Sequence, residues 1–284
     1  MEVRGAVTRH YASGDDFEQR IVEQLRAAGL LEGQSPSPRD LAALDQFHVG
    51  GLEASAALAR LCSLSSGMHV LDVGSGLGGP SRFLAATYGC RVTGIDVTES
   101  YCRIASLLAG RMGLEHLVDY RHGDALYLPF ADQTFDAAWT QHASMNIAEK
   151  AEFYAEIARV VRVGGRFAVH DVVQSTEGPI LFPVPWARSA ALSHLLTPEG
   201  MREAVVRSGF SVLVWNDVSE AAAEWLSKVG AKSDPADVPR LGLHLVLGQG
   251  FPEMAANLRR SLEEHRCGVI QAVFERTSAI GGLK

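Results

Sequence analysis

Val70-Leu71-Asp72-Val73-Gly74-Ser75-Gly76-Leu77-Gly78-Gly79, running straight into Pro80-Ser81-Arg82-Phe83-Leu84-Ala85-Ala86, decides how this chain folds. An apolar run stops at an acid and a cluster of glycines, and an amphipathic stretch follows. That order reads as strand, tight turn, helix. Glycines in such a turn reach conformations that a Cβ forbids and let a ligand approach the main chain. The helix start behind them offers free N–H groups and the positive end of its dipole. A nucleotide-like ligand is expected there. The spelling fits two patterns: Gly74, Gly76 and Gly79 match the dinucleotide G-x-G-x-x-G, while Gly74, Gly76 and Gly78 match a looser G-x-G-x-G.

Three features outward from the turn narrow the choice. Asp96, with Val97 beside it, ends a second apolar run, Arg91 to Asp96, about 20 residues past the glycines, where a carboxylate accepts from both ribose hydroxyls. This fits either cofactor class. Asp72 lies two residues before Gly74, where a carboxylate repels a phosphate but attracts an ammonium or sulfonium. That favours S-adenosylmethionine over NAD. Gly123-Asp124-Ala125 then closes a third run, with Asp124 a candidate acceptor for the adenine amino group and Ala125 N–H a donor to the ring. An Asx turn at Asp124 is the plain alternative.

These elements resemble a class I S-adenosylmethionine-dependent methyltransferase, and Val161-Arg162-Val163-Gly164-Gly165-Arg166-Phe167 resembles that superfamily's turn before strand five. The likeness is closest to the bacterial sarcosine/dimethylglycine N-methyltransferase-like group, which also resembles tocopherol methyltransferases. It is carried by Asp45 to Gly51, Thr140-Gln141-His142 with Met145-Asn146-Ile147, Phe182 to Ala187, Phe251-Pro252-Glu253-Met254 with Asn257-Leu258, and Gln271-Ala272-Val273-Phe274. Ser75 stands where many relatives carry cysteine. The resemblance implies a Rossmann-like α/β sheet of seven strands, the last antiparallel, with Gln141 on the methionine part of the donor. It also implies a small-molecule acceptor: an amine nitrogen first, with O- or C-methylation of a natural product or quinone as the alternative. An NAD-dependent oxidoreductase and a non-catalytic donor-binding protein are the competing classes.

Composition agrees. The chain has 284 residues, 47% of them hydrophobic and 21% charged, and a net charge of −7 that gives a nucleic-acid partner no electrostatic support. No apolar run approaches the roughly 18 residues of a membrane span. No secretory leader is read at the N-terminus, so a cytoplasmic enzyme is expected. Cys62, Cys90, Cys102 and Cys267 have no metal spacing, the ten histidines form no HExxH, and no metal is expected. A homodimer is left open.

Four segments are expected: a helical lid over 1–65, the donor-binding α/β core over 66–217, a helical cap over 218–266, and the last strand and tail over 267–284. The cap separates strands six and seven by some fifty residues and is expected to cover the active site. Strand four should end at Gln141-His142 and strand five at His170-Asp171, which puts both histidines at the ligand edge as candidate catalytic groups. Structural roles compete for each. Tyr11, Phe47, Trp139, Phe182 and Trp186 are candidate aromatic faces for a cationic product. His48 is a candidate donor or acceptor contact, and Arg188 or His142 a carboxylate anchor.

Overall fold

The apolar runs on either side of the glycine turn pair in parallel. The computed structural model describes residues 17–231 and 241–277. In it β1 (His69–Val73) lies against β2 (Arg91–Asp96), with Asp72 level with Gly94. β3 (Val118–His122), β4 (Phe135–Gln141), β5 (Val161–Gln174), β6 (Phe210–Asp217) and β7 (Cys267–Arg276) complete a seven-stranded sheet in the order β3-β2-β1-β4-β5-β7-β6. β7 alone runs antiparallel to its neighbours. Strand order reverses between β1 and β4, so a crevice opens over the carboxyl ends of those two strands.

Helices cover both faces, which is why the central strands carry near-continuous apolar residues rather than an alternating pattern. Among the described residues, three helices precede the sheet: α1 (Phe17–Ala27), α2 (Pro38–Asp45) and α3 (Gly51–Cys62). α1 buries Phe17, Ile21 and Leu25, one residue per turn. α4 (Gly79–Tyr88) follows the glycine turn, with Pro80 in its first turn and left-handed Gly89 ending it. α5 (Glu99–Arg111) and α6 (Lys150–Val160) are the next crossovers. α7 (Pro198–Arg207) is capped by Thr197, whose hydroxyl accepts the Gly200 N–H at 3.1 Å. α8 (Ser219–Ala231), α9 (His244–Leu247) and α10 (Phe251–Glu263) lie between β6 and β7.

The glycine turn is spelled by contact as well as conformation. Gly74 has φ +77°, and a Cβ there would sit 2.4 Å from the Ala143 Cβ. The helical leader ahead of the sheet (α1 to α3) is bolted to this turn: buried Arg82 of α4 donates to Asp45 Oδ2 at 2.6 Å and to Leu77 O at 2.7 Å.

One boundary departs from expectation. β5 does not stop at His170-Asp171 but runs to Gln174, because β7 pairs with it as far as Gln174↔Cys267. His170 is therefore an interior strand residue, level with Gln141 on one side and Gln271 on the other.

Candidate functional site

A cavity of about 630 Å³ sits over the carboxyl ends of β1, β2 and β4. Gly74, Gly76, Asp96, Val97, Gly123, Asp124, Ala125, Gln141, His142, Phe47 and Trp186 all line it. These residues are spread from 47 to 186 in the chain, and the sheet edge brings them to one wall.

Asp96 is held from behind. Its Oδ2 accepts the Gly76 N–H at 2.9 Å and its Oδ1 accepts the Thr98 N–H at 2.8 Å. Each oxygen keeps a lone pair for a further donor, so the geometry suits a vicinal diol. Burial raises this carboxyl above its ordinary pKa, against the pull of the Thr98 and Gly76 bonds. Asp124 does form the Asx turn, its Oδ1 accepting Leu126 N–H at 2.9 Å, while it still lines the cavity. Gln141 points its carbonyl inward, where Trp139 Nε1–H reaches it at 2.9 Å and the Ser55 hydroxyl at 3.0 Å. Its buried amide nitrogen has no partner among the described residues.

Three histidines crowd beneath the far wall. His142, in a left-handed conformation (φ +51°) just past β4, stacks on His170 at 5.2 Å and 3°. His48 packs edge-on against both, with centroids 6.1 Å from His142 and 5.6 Å from His170. His170 Nε2 donates to Val49 O at 2.9 Å and His48 Nε2 donates to Gly51 O at 2.9 Å, so both rings are spent on the backbone. Burial holds His170 down to about 4; burial and then His170 hold His48 down to about 3. His142 is different. It lines the cavity, and its Nε2 has no partner among the described residues. Burial, then His170 and His48, keep it well below the ordinary imidazole value, so it is neutral at pH 7.

Several expectations change. Asp72 is not on the wall: its carboxylate turns under α4 and accepts the Ser81 hydroxyl at 2.5 Å, with burial pushing it up to about 7. The charge argument moves to other acids. Asp96, Asp124 and Glu149 line the cavity, and among the described residues no Lys or Arg does. Such a wall suits a sulfonium and resists a diphosphate. Ser75 and Gly78 are packed behind the turn, with Gly78 against the Tyr120 hydroxyl, and His48 and His170 are also off the wall. Arg188 is exposed and does not line the cavity. Trp139 is fully buried and bonded to Gln141 rather than facing a ligand, and Phe182 is off the wall, packed among the residues behind Trp186. Tyr11 lies outside the described residues.

Sequence reading missed Tyr101, Asn146, Glu149 and Leu247, which also line the cavity. Tyr101 stands in the first turn of α5, edge-on to Phe47 at 5.9 Å; its place in the helix that follows the ribose acid was the available signal. Asn146 Nδ2 donates to Trp186 O at 2.7 Å and Leu192 O at 3.0 Å, which pins the loop carrying Pro185 and Trp186 over the site. From the segment between β6 and β7, Leu247 reaches the wall, whereas Asn257 of α10 supports the Pro183–Trp186 loop from behind by donating to Pro183 O at 3.0 Å.

Comparison with known proteins agrees with this geometry. Residues 71–169 match the family model described as a methyltransferase domain. The chain is 30% identical over 214 residues to Methyltransferase GfsG of Streptomyces halstedii, covering 72% of this chain and 75% of that protein. It is 28% identical over 162 residues to the sarcosine/dimethylglycine N-methyltransferase of Halorhodospira halochloris, covering 56% of this chain and 58% of that one. Among solved structures, the [4+2]-cyclase SpnF superposes with a TM-score of 0.65 at 27% identity, over 79% of this chain and 81% of that one.

Proposed function

The chain belongs to the class I S-adenosylmethionine-dependent methyltransferases, and from that premise we propose that it methylates a hydroxyl of a small, largely apolar molecule, with His142 as the base. The bound donor supplies an already activated methyl on sulfur, so displacement needs no nucleophile from the protein. What the protein contributes is alignment, exclusion of water and a place for the acceptor's proton. Asp96 would hold the ribose, Asp124 and the Ala125 N–H the adenine, and Gly74, Gly76 and Gln141 the amino-acid end. Trp186, Met145, Ile147 and Pro185 give the acceptor side an apolar wall.

The observation that carries the hydroxyl reading is His142, a neutral ring on the cavity wall whose buried Nε2 has no partner among the described residues. As an alcohol oxygen takes the methyl its proton becomes strongly acidic. Even a weak base can then accept it, provided the base is unprotonated at the start. A ring held well below the ordinary imidazole pKa meets that condition. An amine gains less, because the methylated nitrogen keeps its charge at neutral pH without help. The amine reading is the second one, supported by the likeness to the sarcosine/dimethylglycine enzyme and by the Phe47 and Trp186 faces on the wall, which would stabilise a cationic product. An amino-acid acceptor fits less well, since Arg188 is off the wall.

A screen of small phenols, alcohols and amines, followed by S-adenosylhomocysteine release and product mass, tests this. Hydroxyl acceptors should turn over, and His142→Ala should lower kcat by about 10²–10⁴ at unchanged donor affinity. Turnover of amines alone, at a rate that His142→Ala leaves intact, establishes the second reading. Donor binding with no turnover of any acceptor defeats both.

A further inference from the structure

Trp139 is a fully buried indole whose N–H, a donor only, is committed to Gln141 Oε1 at 2.9 Å. That bond settles an ambiguity that a glutamine ordinarily leaves open. A Gln side chain can present either its carbonyl or its amide nitrogen to a cavity, and the two are nearly isosteric. Here the carbonyl must face Trp139, because the reverse orientation would set an amide N–H against an indole N–H. The Ser55 hydroxyl, 3.0 Å from the same oxygen, adds a second hold from α3. Its single proton is shared between Gln141 Oε1 and Gln46 Oε1, the latter 3.1 Å away, so Ser55 is the weaker of the two holds; His48 Nε2, 3.1 Å from the hydroxyl, already gives its N–H to Gly51 O. The consequence is a buried amide nitrogen, without a partner among the described residues, on a side chain that is 8% exposed and lines the cavity.

Gln141 stands on β4 next to β1, alongside the Gly74–Gly76 turn, and with no Lys or Arg on the wall among the described residues. A carboxylate bound at that end must be met by neutral N–H donors. We propose that Trp139 and Ser55 are positioning residues that lock the Gln141 amide so that it donates to the carboxylate of the donor's amino-acid end. This rests on the methyl-donor reading of the site, but not on the identity of the acceptor. The bland alternative is that Gln141 serves only to satisfy the buried indole, and the two differ in what the variants should do to ligands with and without a carboxylate.

The experiment is calorimetric binding of two ligands, S-adenosylhomocysteine and 5′-methylthioadenosine, which share adenosine and sulfur but differ in the amino-acid end. Wild type is compared with Trp139→Phe, Ser55→Ala and Gln141→Glu. Glu keeps the contacts to Trp139 and Ser55 but turns an oxygen toward the cavity. Expected losses for S-adenosylhomocysteine are about 10-fold in Trp139→Phe and Gln141→Glu at least tenfold more, the scale of a hydrogen bond to a charged group; Ser55→Ala loses less. Affinity for 5′-methylthioadenosine should stay within about twofold throughout, a selectivity that loosened packing cannot produce. Equal losses for both ligands, or no loss for either, overturn the proposal. Should Trp139→Phe fold poorly, the Gln141→Glu and Ser55→Ala comparison decides alone. If wild type binds neither ligand, it is the methyl-donor reading that fails.

Discussion

Replacing Asp96 with Asn isolates what its charge does at nearly constant shape. Both carboxylate oxygens are already used once, Oδ2 by Gly76 N–H at 2.9 Å and Oδ1 by Thr98 N–H at 2.8 Å. An Asn can keep only one of these, because its NH₂ cannot accept. One oxygen's ligand bond is then lost outright and the other falls from charge-assisted to neutral. With charge-assisted bonds worth about 1.5–3 kcal/mol and neutral ones about 0.5–1.5, the sum is about 2.5–4.5 kcal/mol. That corresponds to roughly 60- to 1,600-fold weaker binding. Calorimetry with S-adenosylhomocysteine is the assay, and 5′-methylthioadenosine should lose as much, since both carry the ribose. Because burial raises this carboxyl, wild-type affinity should also begin to fall, as pH drops, earlier than an exposed acid would allow. A folded Asp96→Asn protein that binds both ligands within threefold of wild type refutes the assignment.

Three further outcomes are expected. Asp72→Asn should leave donor affinity unchanged, since the carboxylate meets Ser81 and not the cavity. Its folded pKa of about 7 lies above the unfolded value near 3.8, so wild type loses stability as pH rises through that window. The variant's Tm advantage should therefore grow from pH 4 to 7 and level off above, and a constant offset would contradict it. Asp45→Asn strands the buried Arg82 guanidinium and should cost about 3–5 kcal/mol in denaturant unfolding; a loss below 1 kcal/mol would mean the pair is not what fastens the leader. For a hydroxyl acceptor, kcat at saturation should show no acid limb near 6.5, because neutral His142 persists well below that pH; a limb centred at 6.5 would remove this ring as the base.

Much of the cofactor side could be read from the sequence because its signals are local. The strand–glycine–helix run, Asp96 at the next strand end and Gly123-Asp124-Ala125 each depend on a handful of neighbours, and all but the packed-behind members reach the wall. What failed was direction. Asp72 sits at the expected strand end, yet its side chain goes to Ser81, a partner nine residues on that only the α4 packing brings near. His170 was misplaced for a long-range reason: β5 is extended by β7, about a hundred residues later in the chain. Tyr101, Asn146, Glu149 and Leu247 come from three separate connections, Asn146 and Glu149 sharing the one between β4 and α6, and their meeting is a property of the closed fold that no spacing encodes.

The residues ahead of the sheet do more than shield it. Between 45 and 55 the chain is bonded to four interior groups: Asp45 to Arg82 of α4, Val49 O to His170 of β5, Ala54 O to Gln271 of β7 at 3.1 Å, and Ser55 to Gln141 of β4. Each inner partner is buried, so losing the leader's side of the bond would leave a polar group unpaired in a dry interior. Two of them, Gln141 and His170, directly orient the amide and the imidazole stack at the cavity. This segment therefore fixes the geometry of the site from within, and mutations along it should damage donor binding before they alter which acceptor enters.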